Sequence, residues 1–213
     1  MNTYSSLGGV VLAPPDPAWD ARAAKQAMRE RILAERSHRD ARQREADGRR
    51  LTAVALEQPE ISSARCVAAY VSTVSAPGTL ALRQALRAGG VQVLLPILLD
   101  DEHLDWALDW PPAGDAATGS AGRHGPEGIG RAEVLIIPAL AVDTLGNRLG
   151  QGAGFYDRTL RLVDPTVRVF ALVNESEVLD AAIEPVPAEP HDRPVDAVIT
   201  PNRCLRLPPR RRR

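Results

Sequence analysis

Lysine is almost absent from this chain: of 26 basic residues, Lys25 alone is lysine and the rest are arginine. Where arginine supplies nearly all the positive charge, the single compact ammonium marks a position worth following. Cysteine is scarce as well. Cys66 and Cys204 do not form a metal-ligand spacing, and two isolated thiols fit a reducing cytoplasm better than a disulfide-built secreted scaffold. No apolar run approaches the ~20 residues that span a bilayer. No basic region followed by an apolar segment opens the chain, so neither a membrane span nor a signal peptide is expected. A formal net charge of −1 leaves no overall field for nucleic acid or an anionic membrane. The four histidines (His38, His103, His124 and His191) are scattered without a ligand spacing. Aromatic residues make up 4% of the chain, so few side chains can wall a flat ligand.

What is present suits one soluble domain. The 213 residues are 44% hydrophobic and 25% charged, enough to bury a substantial core. Residues 1–17 read as a loose arm, 18–205 as the domain and 206–213 as an Arg-rich tail. From Ala18 to about Asp47 there is neither Gly nor Pro, and Ala24, Met28 and Ile32 recur every four residues, the period of a helix. Arg22, Lys25, Arg29 and Arg36 form a second stripe. Like charges so placed repel one another, so the stripe is either a solvated face balanced by Glu30 and Glu35 or a surface for an anion.

Strand and helix signals then alternate. Short apolar runs at Cys66–Val71, Val91–Leu95, Val134–Ile137, Val167–Val173 and Val195–Ile199 read as strands, the second stopping at Pro96. Leu104–Trp110 alternates and reads as another. Thr79–Ala88 reads as a helix closed by Gly89 and Gly90, and the Gly- and Pro-rich stretch 111–130 as a surface loop or lid. Such alternation predicts an α/β, single-domain, three-layer fold with a mostly parallel sheet and helices on both faces. Ligands in such folds sit at the carboxyl ends of strands.

One stretch carries the chemistry. Between the Val134–Ile137 strand and a helix start at Phe155 lie Gly146, Gly150, Gly152 and Gly154. Glycines let backbone N–H groups turn inward, and such a run is a cradle for phosphate. Arg148 offers a bidentate grip and Asp157 a metal-binding carboxylate beside it. An ordinary strand-to-helix turn explains three spaced glycines equally well. The pattern matches neither the P-loop nor the dinucleotide fingerprint.

The longer pattern discriminates. Pro138-x4-Asp143-x2-Gly146-x-Arg148-Leu149-Gly150-x-Gly152-x-Gly154-Phe155-Tyr156-Asp157-Arg158 resembles the signature of the 5-formyltetrahydrofolate cyclo-ligases, also called methenyltetrahydrofolate synthetases. The resemblance extends from about Ala18 to Thr200, through Lys25-x3-Arg29, through Tyr70, Ser72 and Thr79, through Pro96, and to Val195-Asp196-Ala197-Val198. It implies ATP-driven cyclisation of 5-formyltetrahydrofolate to 5,10-methenyltetrahydrofolate, releasing ADP and phosphate. ATP and Mg2+ are then the implied cofactors and a reduced folate the substrate, in a cytoplasmic monomer with no nucleic-acid or membrane partner. By the same resemblance Lys25, Arg29 and Arg148 carry catalysis. ATP is held by these three with Gly150, Gln151, Gly152, Ala153, Gly154, Phe155 and Tyr156, and magnesium by Asp157 and Asp196. Tyr156, Phe155 and Trp106 are candidates for the pterin wall, although Trp106 and Trp110 suit a core equally well. The chain departs from the pattern at Ala76, where members often carry glutamate, at Gln151, where arginine is usual, and at Ala153. These departures keep a second reading open: a diverged paralogue with the ATP site but another substrate, or a non-catalytic folate or nucleotide binder.

Overall fold

The long helix expected from Ala18 is two helices, α1 (Ala21–Ser37) and α2 (Ala41–Leu56), in a computed structural model that describes residues 21–100, 103–109, 122–189 and 192–208. The expected N-terminal arm, Trp110, the first part of the 111–130 loop and Arg210–Arg213 lie outside these residues. Asp40 causes the break. Its carboxylate accepts from the Gln43 backbone N–H at 2.8 Å, and the Gln43 side chain accepts from the Asp40 N–H at 3.1 Å. This reciprocal capping box starts a new helix without any Gly or Pro. Gly48, in turn, does not end α2; it lies within the helix, and a Cβ there would make only ordinary contact, 3.5 Å from the Gly78 carbonyl oxygen.

The chain continues through α3 (Pro59–Ser62), β1 (Cys66–Ala68), α4 (Leu80–Ala88), β2 (Gln92–Leu98) and β3 (Leu104–Leu108). After β4 (Val134–Pro138) come β5 (Ala141–Asp143), β6 (Arg148–Leu149), α5 (Phe155–Thr159) and β7 (Arg168–Leu172). Then follow β8 (Val178–Leu179), β9 (Ala197–Ile199) and β10 (Cys204–Arg206). The main sheet has the order β10-β9-β7-β4-β1-β2-β3, parallel except for its two edge strands. Its central strands are buried on both faces, which is why they read as unbroken apolar runs rather than alternations. A second sheet, β6-β5-β8, was not evident in the sequence.

Pro96 does not stop β2. Leu94, two residues earlier and on the same side of the strand, accepts from the Ala69 N–H at 2.9 Å. Pro96 therefore turns its missing N–H towards β1, which has already ended, and keeps its register opposite Trp106 of β3. The expected boundary at residue 206 also shifts. The Arg206 guanidinium donates to both Glu60 carboxylate oxygens at 2.8 Å and lies 5.2 Å from the Phe170 ring centroid, so it finishes the edge strand rather than beginning a tail.

Two cores flank the sheet. On one face α2, α3 and α4 press Leu51, Ile61, Leu82 and Leu86 against Val67, Val93, Ile136 and Phe170. On the other, Trp106, Ile129, Leu160 and Val163 cover Leu135, Ile137, Val169 and Val198. Among the described residues, the helical elements on that second face are the five-residue α5 and a short 3-10 turn at Pro126–Arg131. Helix α1 packs against the small sheet instead, with Met28 and Ile32 on Leu140, Ala141, Leu149 and Leu179. Burial of Ile32 alone contributes about 2 kcal/mol to that docking.

The strand order has a consequence for ligands. From β1 the chain steps to β2 and β3 on one side, then returns to β4 on the other and continues outward through β7 and β9. Connections leaving β1 and β4 diverge, and a crevice opens at their carboxyl ends. If the Asp40 box sets the α1–α2 break, Asp40→Ala should lower stability by about 1 kcal/mol, measured by the urea midpoint. An unchanged midpoint would assign the break to packing.

Candidate active site

A pocket of about 740 Å³ occupies the crevice. Its walls come from α1 (Arg22, Lys25, Arg29, Arg36), the loop after β1 (Tyr70, Val71, Thr73, Ala76), the ends of β2 and β4 (Pro96, Leu98, Pro138, Ala139), and the run Arg148–Asp157. The lining is of two kinds: cations with the glycine run, and the apolar side chains Val71, Pro96, Leu98 and Leu104. Such a pocket suits a ligand, or a pair of ligands, with an anionic part and a flat apolar part.

The glycine run is held in place by Asp143. This carboxylate is fully buried and accepts from Leu145 N–H (3.0 Å), Asn147 N–H (2.9 Å), Asn147 Nδ2 (2.7 Å) and Val186 N–H (3.1 Å). Four bonds to one ion template the turn between β5 and β6. Gly146 completes that turn at φ +85°, where a Cβ would come within 2.8 Å of the Val195 carbonyl oxygen. No other residue fits there. Gly152, at φ +105°, has the Arg29 guanidinium carbon 3.5 Å from where a Cβ would stand. Arg29 Nε also donates to the Gly150 carbonyl at 2.9 Å, so α1 and the loop are joined at this point. Among the described residues, the backbone N–H groups from Gln151 to Gly154 make no hydrogen bond. With only five residues, α5 adds little dipole, so the loop amides and nearby cations must attract any anion.

The predicted residues meet with more pairing than the sequence suggested. Lys25 Nζ lies 3.1 Å from Asp192 and 3.2 Å from Glu189. Arg148, 4% exposed at its side chain, forms an ion pair with Asp157, and its buried Nε–H has no partner among the described residues. Arg148 thus orients Asp157 and retains one unmatched donor. Burial pushes the Tyr156 phenol well above its ordinary range, with Arg148 pulling it back only in part. The hydroxyl therefore stays protonated and neutral. Gly150, Gln151, Gly152, Ala153, Gly154, Phe155 and Tyr156 all line the pocket.

Asp196 does not join them. It stands at the start of β9, level with Val169, on the amino-terminal side of the sheet. Pro138 at the pocket floor pairs with Leu172, three residues further along the strands, a rise of roughly 10 Å. The Asp196 carboxylate is engaged there by Arg168 at 3.1 Å and the Val169 N–H at 2.9 Å. It is an edge staple, and the expected pairing of Asp157 with Asp196 around a metal is not formed. No group of three His, Cys, Asp or Glu suited to a metal occurs among the described residues. Trp106, 1% exposed, is a core residue behind the site and not a wall of it.

Tyr70, Ser72 and Thr79 are hydrogen-bonded within one loop. Tyr70 donates to the Pro77 carbonyl at 2.8 Å, Thr79 Oγ1 donates to the Tyr70 carbonyl at 2.6 Å, and Ser72 Oγ accepts from the Thr79 N–H at 3.3 Å. They clasp the loop that forms one wall. Sequence reasoning missed Glu189 and Asp192, whose Pro-rich surroundings give no periodic signal, and Glu177. For Glu177 a signal existed, since Asn174-x2-Glu177 is a capping-box spacing.

The family model for 5-formyltetrahydrofolate cyclo-ligases matches residues 21–201. A protein of Mycolicibacterium smegmatis named 5-formyltetrahydrofolate cyclo-ligase is 42% identical over 155 residues, 67% of this chain and 77% of the relative. An Escherichia coli protein of the same name is 30% identical, over 68% of this chain and 82% of its own. The solved Aquifex aeolicus 5,10-methenyltetrahydrofolate synthetase superposes with a TM-score of 0.70 at 23% identity, covering 88% of this chain and 95% of the other. That likeness carries the fold.

The carboxylates on Lys25 generate a prediction of their own. Any polyanion that takes Lys25 must displace Glu189 and Asp192. Because a partly exposed pair is worth up to about 1 kcal/mol, Asp192→Asn with Glu189→Gln should tighten inorganic triphosphate roughly fivefold in calorimetric titration. Weaker binding would mean the carboxylates aim the ammonium rather than compete for it.

Proposed function

This chain belongs to the 5-formyltetrahydrofolate cyclo-ligase family, and on that premise we propose that it cyclises 5-formyltetrahydrofolate to 5,10-methenyltetrahydrofolate at the expense of ATP, releasing ADP and phosphate. One observation carries the reading: a single pocket is lined both by cations with the glycine run and by apolar side chains. The triphosphate lies at the first, across the Gln151–Gly154 amides and beside Lys25 and Arg29. The pterin lies at the second, against Val71, Leu98 and Leu104, with Phe155 and Tyr156 between the two ligands.

The formyl oxygen attacks the γ-phosphorus and ADP leaves, which turns that oxygen into a good leaving group. The N10 nitrogen then adds to the activated carbon and loses its proton. The carbon–oxygen bond breaks, phosphate departs, and the five-membered methenyl ring is left. The chain's contribution is alignment and charge neutralisation rather than covalent participation. Lys25 meets the triphosphate as a point charge once released from Glu189 and Asp192. Arg29 holds the glycine run to α1. Arg148 keeps Asp157 facing the pocket.

The residues fit magnesium in the form usual for nucleotide sites, where one or two carboxylates suffice and phosphate oxygens and water complete the shell. Asp157 has one oxygen on Arg148 and the other left for the ion. The ion supplies neutralisation of phosphate charge. A cytoplasmic monomer is the reading carried over from the family resemblance, and a reducing cytoplasm suits its two free thiols.

A second reading rests on Ala76, Gln151 and Ala153, which all line the pocket. If these positions redirect the site, the protein is a paralogue acting on another substrate or binding without turnover.

The deciding experiment mixes purified protein with 5-formyltetrahydrofolate, ATP and magnesium and follows methenyltetrahydrofolate absorbance. A rise is expected. Lys25→Ala or Asp157→Ala should cut its rate by roughly 10²–10³-fold, the usual effect of losing one group that stabilises developing charge. No rise, with ATP still bound, selects the second reading; Ala76→Glu with Gln151→Arg then tests whether activity can be restored.

A further inference from the structure

Arg36 was expected on the same basic stripe as Lys25 and Arg29, yet it also falls four residues beyond Ile32, on the apolar stripe. The structure buries it, with its side chain 5% exposed. Nε and Nη2 each donate to Glu177 at 2.7 Å, Nη1 donates to the Ser75 carbonyl at 2.6 Å, and Nη2 also reaches the Ala139 carbonyl at 2.7 Å. Glu177, 4% exposed, in turn accepts from the Asn174 N–H and Nδ2, each at 2.6 Å. One guanidinium thus ties α1 to the pocket wall after β1, the end of β4 and the loop after β7.

Bonds to protein engage this fork so fully that it has little to offer a ligand. Removing two ions from water is costly, and a buried ion pair is weak evidence of stabilisation. Its geometry is the more informative feature. Arg36 lies two helical turns from Arg29 and about three from Lys25, so the three share a side of α1 over roughly 16 Å. At the far end of that rigid segment, Arg36 grips the backbone of Ser75, next to the pocket-lining Ala76.

We propose that Arg36, braced by Glu177, is a positioning residue: it fixes the Ser75 wall at a set distance from the face of α1 that bears Lys25 and Arg29. This rests on the two-ligand reading above, in which transfer between formyl oxygen and γ-phosphorus fails when the two halves of the pocket drift apart. A lysine cannot substitute, because a point ammonium cannot span Glu177, Ser75 and Ala139 with a planar fork's geometry.

Arg36→Lys is the test, with amide exchange followed by mass spectrometry alongside kinetics and binding of a non-hydrolysable ATP analogue. The tether predicts exchange at least tenfold faster across residues 72–78, with residues 150–157 unchanged. It also predicts a tenfold or greater fall in kcat while the analogue's Kd moves less than threefold. Unchanged exchange at 72–78 overturns the proposal. So does a loosened wall with kcat preserved, or a uniform rise in exchange with normal kcat per folded molecule, the pattern of a purely structural role. Should Arg36→Lys not fold, Glu177→Gln keeps the guanidinium and removes its brace, and the same pattern is expected at smaller amplitude. If wild-type protein lacks cyclo-ligase activity the reaction reading fails by itself, and exchange with analogue binding still decides the tether.

Discussion

Everything at the site depends on a topological constraint: β1 and β4 are parallel neighbours whose outgoing connections leave in opposite directions. Nothing in the sheet can fill the gap between those connections, because both strands have already ended. The space must be lined by loops, and loops must satisfy their own polar backbone. One of them does so with side chains it carries itself, Tyr70, Ser72 and Thr79. The other becomes a small sheet, with Asp143 templating its turn. Helix α1 then closes the open side. It reaches there because its apolar stripe, Met28 and Ile32, matches the small sheet and not the main one.

Charge follows the same geometry. Three pocket cations each have a carboxylate, but burial separates their roles. Arg36 and Glu177 are dry, and their pairing is permanent architecture. Arg148 is dry while Asp157 is one-third exposed, so the pair presents a fixed carboxylate to the pocket. Lys25, Asp192 and Glu189 are progressively wetter, which makes that pairing the exchangeable one. A site for polyanions needs at least one cation that can change partners. The lone lysine of the chain, with a mobile point charge on a flexible stem, is better suited to that than any arginine fork.

Much of this was legible in the sequence. Buried parallel strands announce themselves as short apolar runs, and the glycine run with Arg148 and Asp157 was found where the chain leaves the small sheet. The misses have physical reasons. Asp40 breaks a helix through side-chain capping, which interruption by Gly or Pro does not reveal. Pro96 stays in a strand because its neighbour has ended, a fact of tertiary pairing. Strands of two or three residues, such as β6 and β8, are too short to show a period. Arg36 lies on a basic stripe and an apolar one at once, and only packing decides between them. Asp196 belongs to the sequence pattern, yet strand register carries it to the opposite end of the sheet.

That last case bears on how the family pattern is to be weighed. Most of its residues build walls. Asp143 and Gly146 shape a turn, Tyr70 and Thr79 clasp a loop, and Asp196 staples β7 to β9. Such residues are required whatever the pocket holds, so matching them is strong evidence for architecture. The smaller set that borders the pocket, including Lys25, Arg29, Ala76, Gly150–Gly154 and Asp157, is the one the proposed chemistry uses. All three departures, at Ala76, Gln151 and Ala153, fall in that smaller set. Gln151 and Ala153 are exposed, so replacing their usual side chains leaves packing intact and changes only what meets the ligand. The fold, the crevice and the order of its walls therefore do not depend on those two side chains.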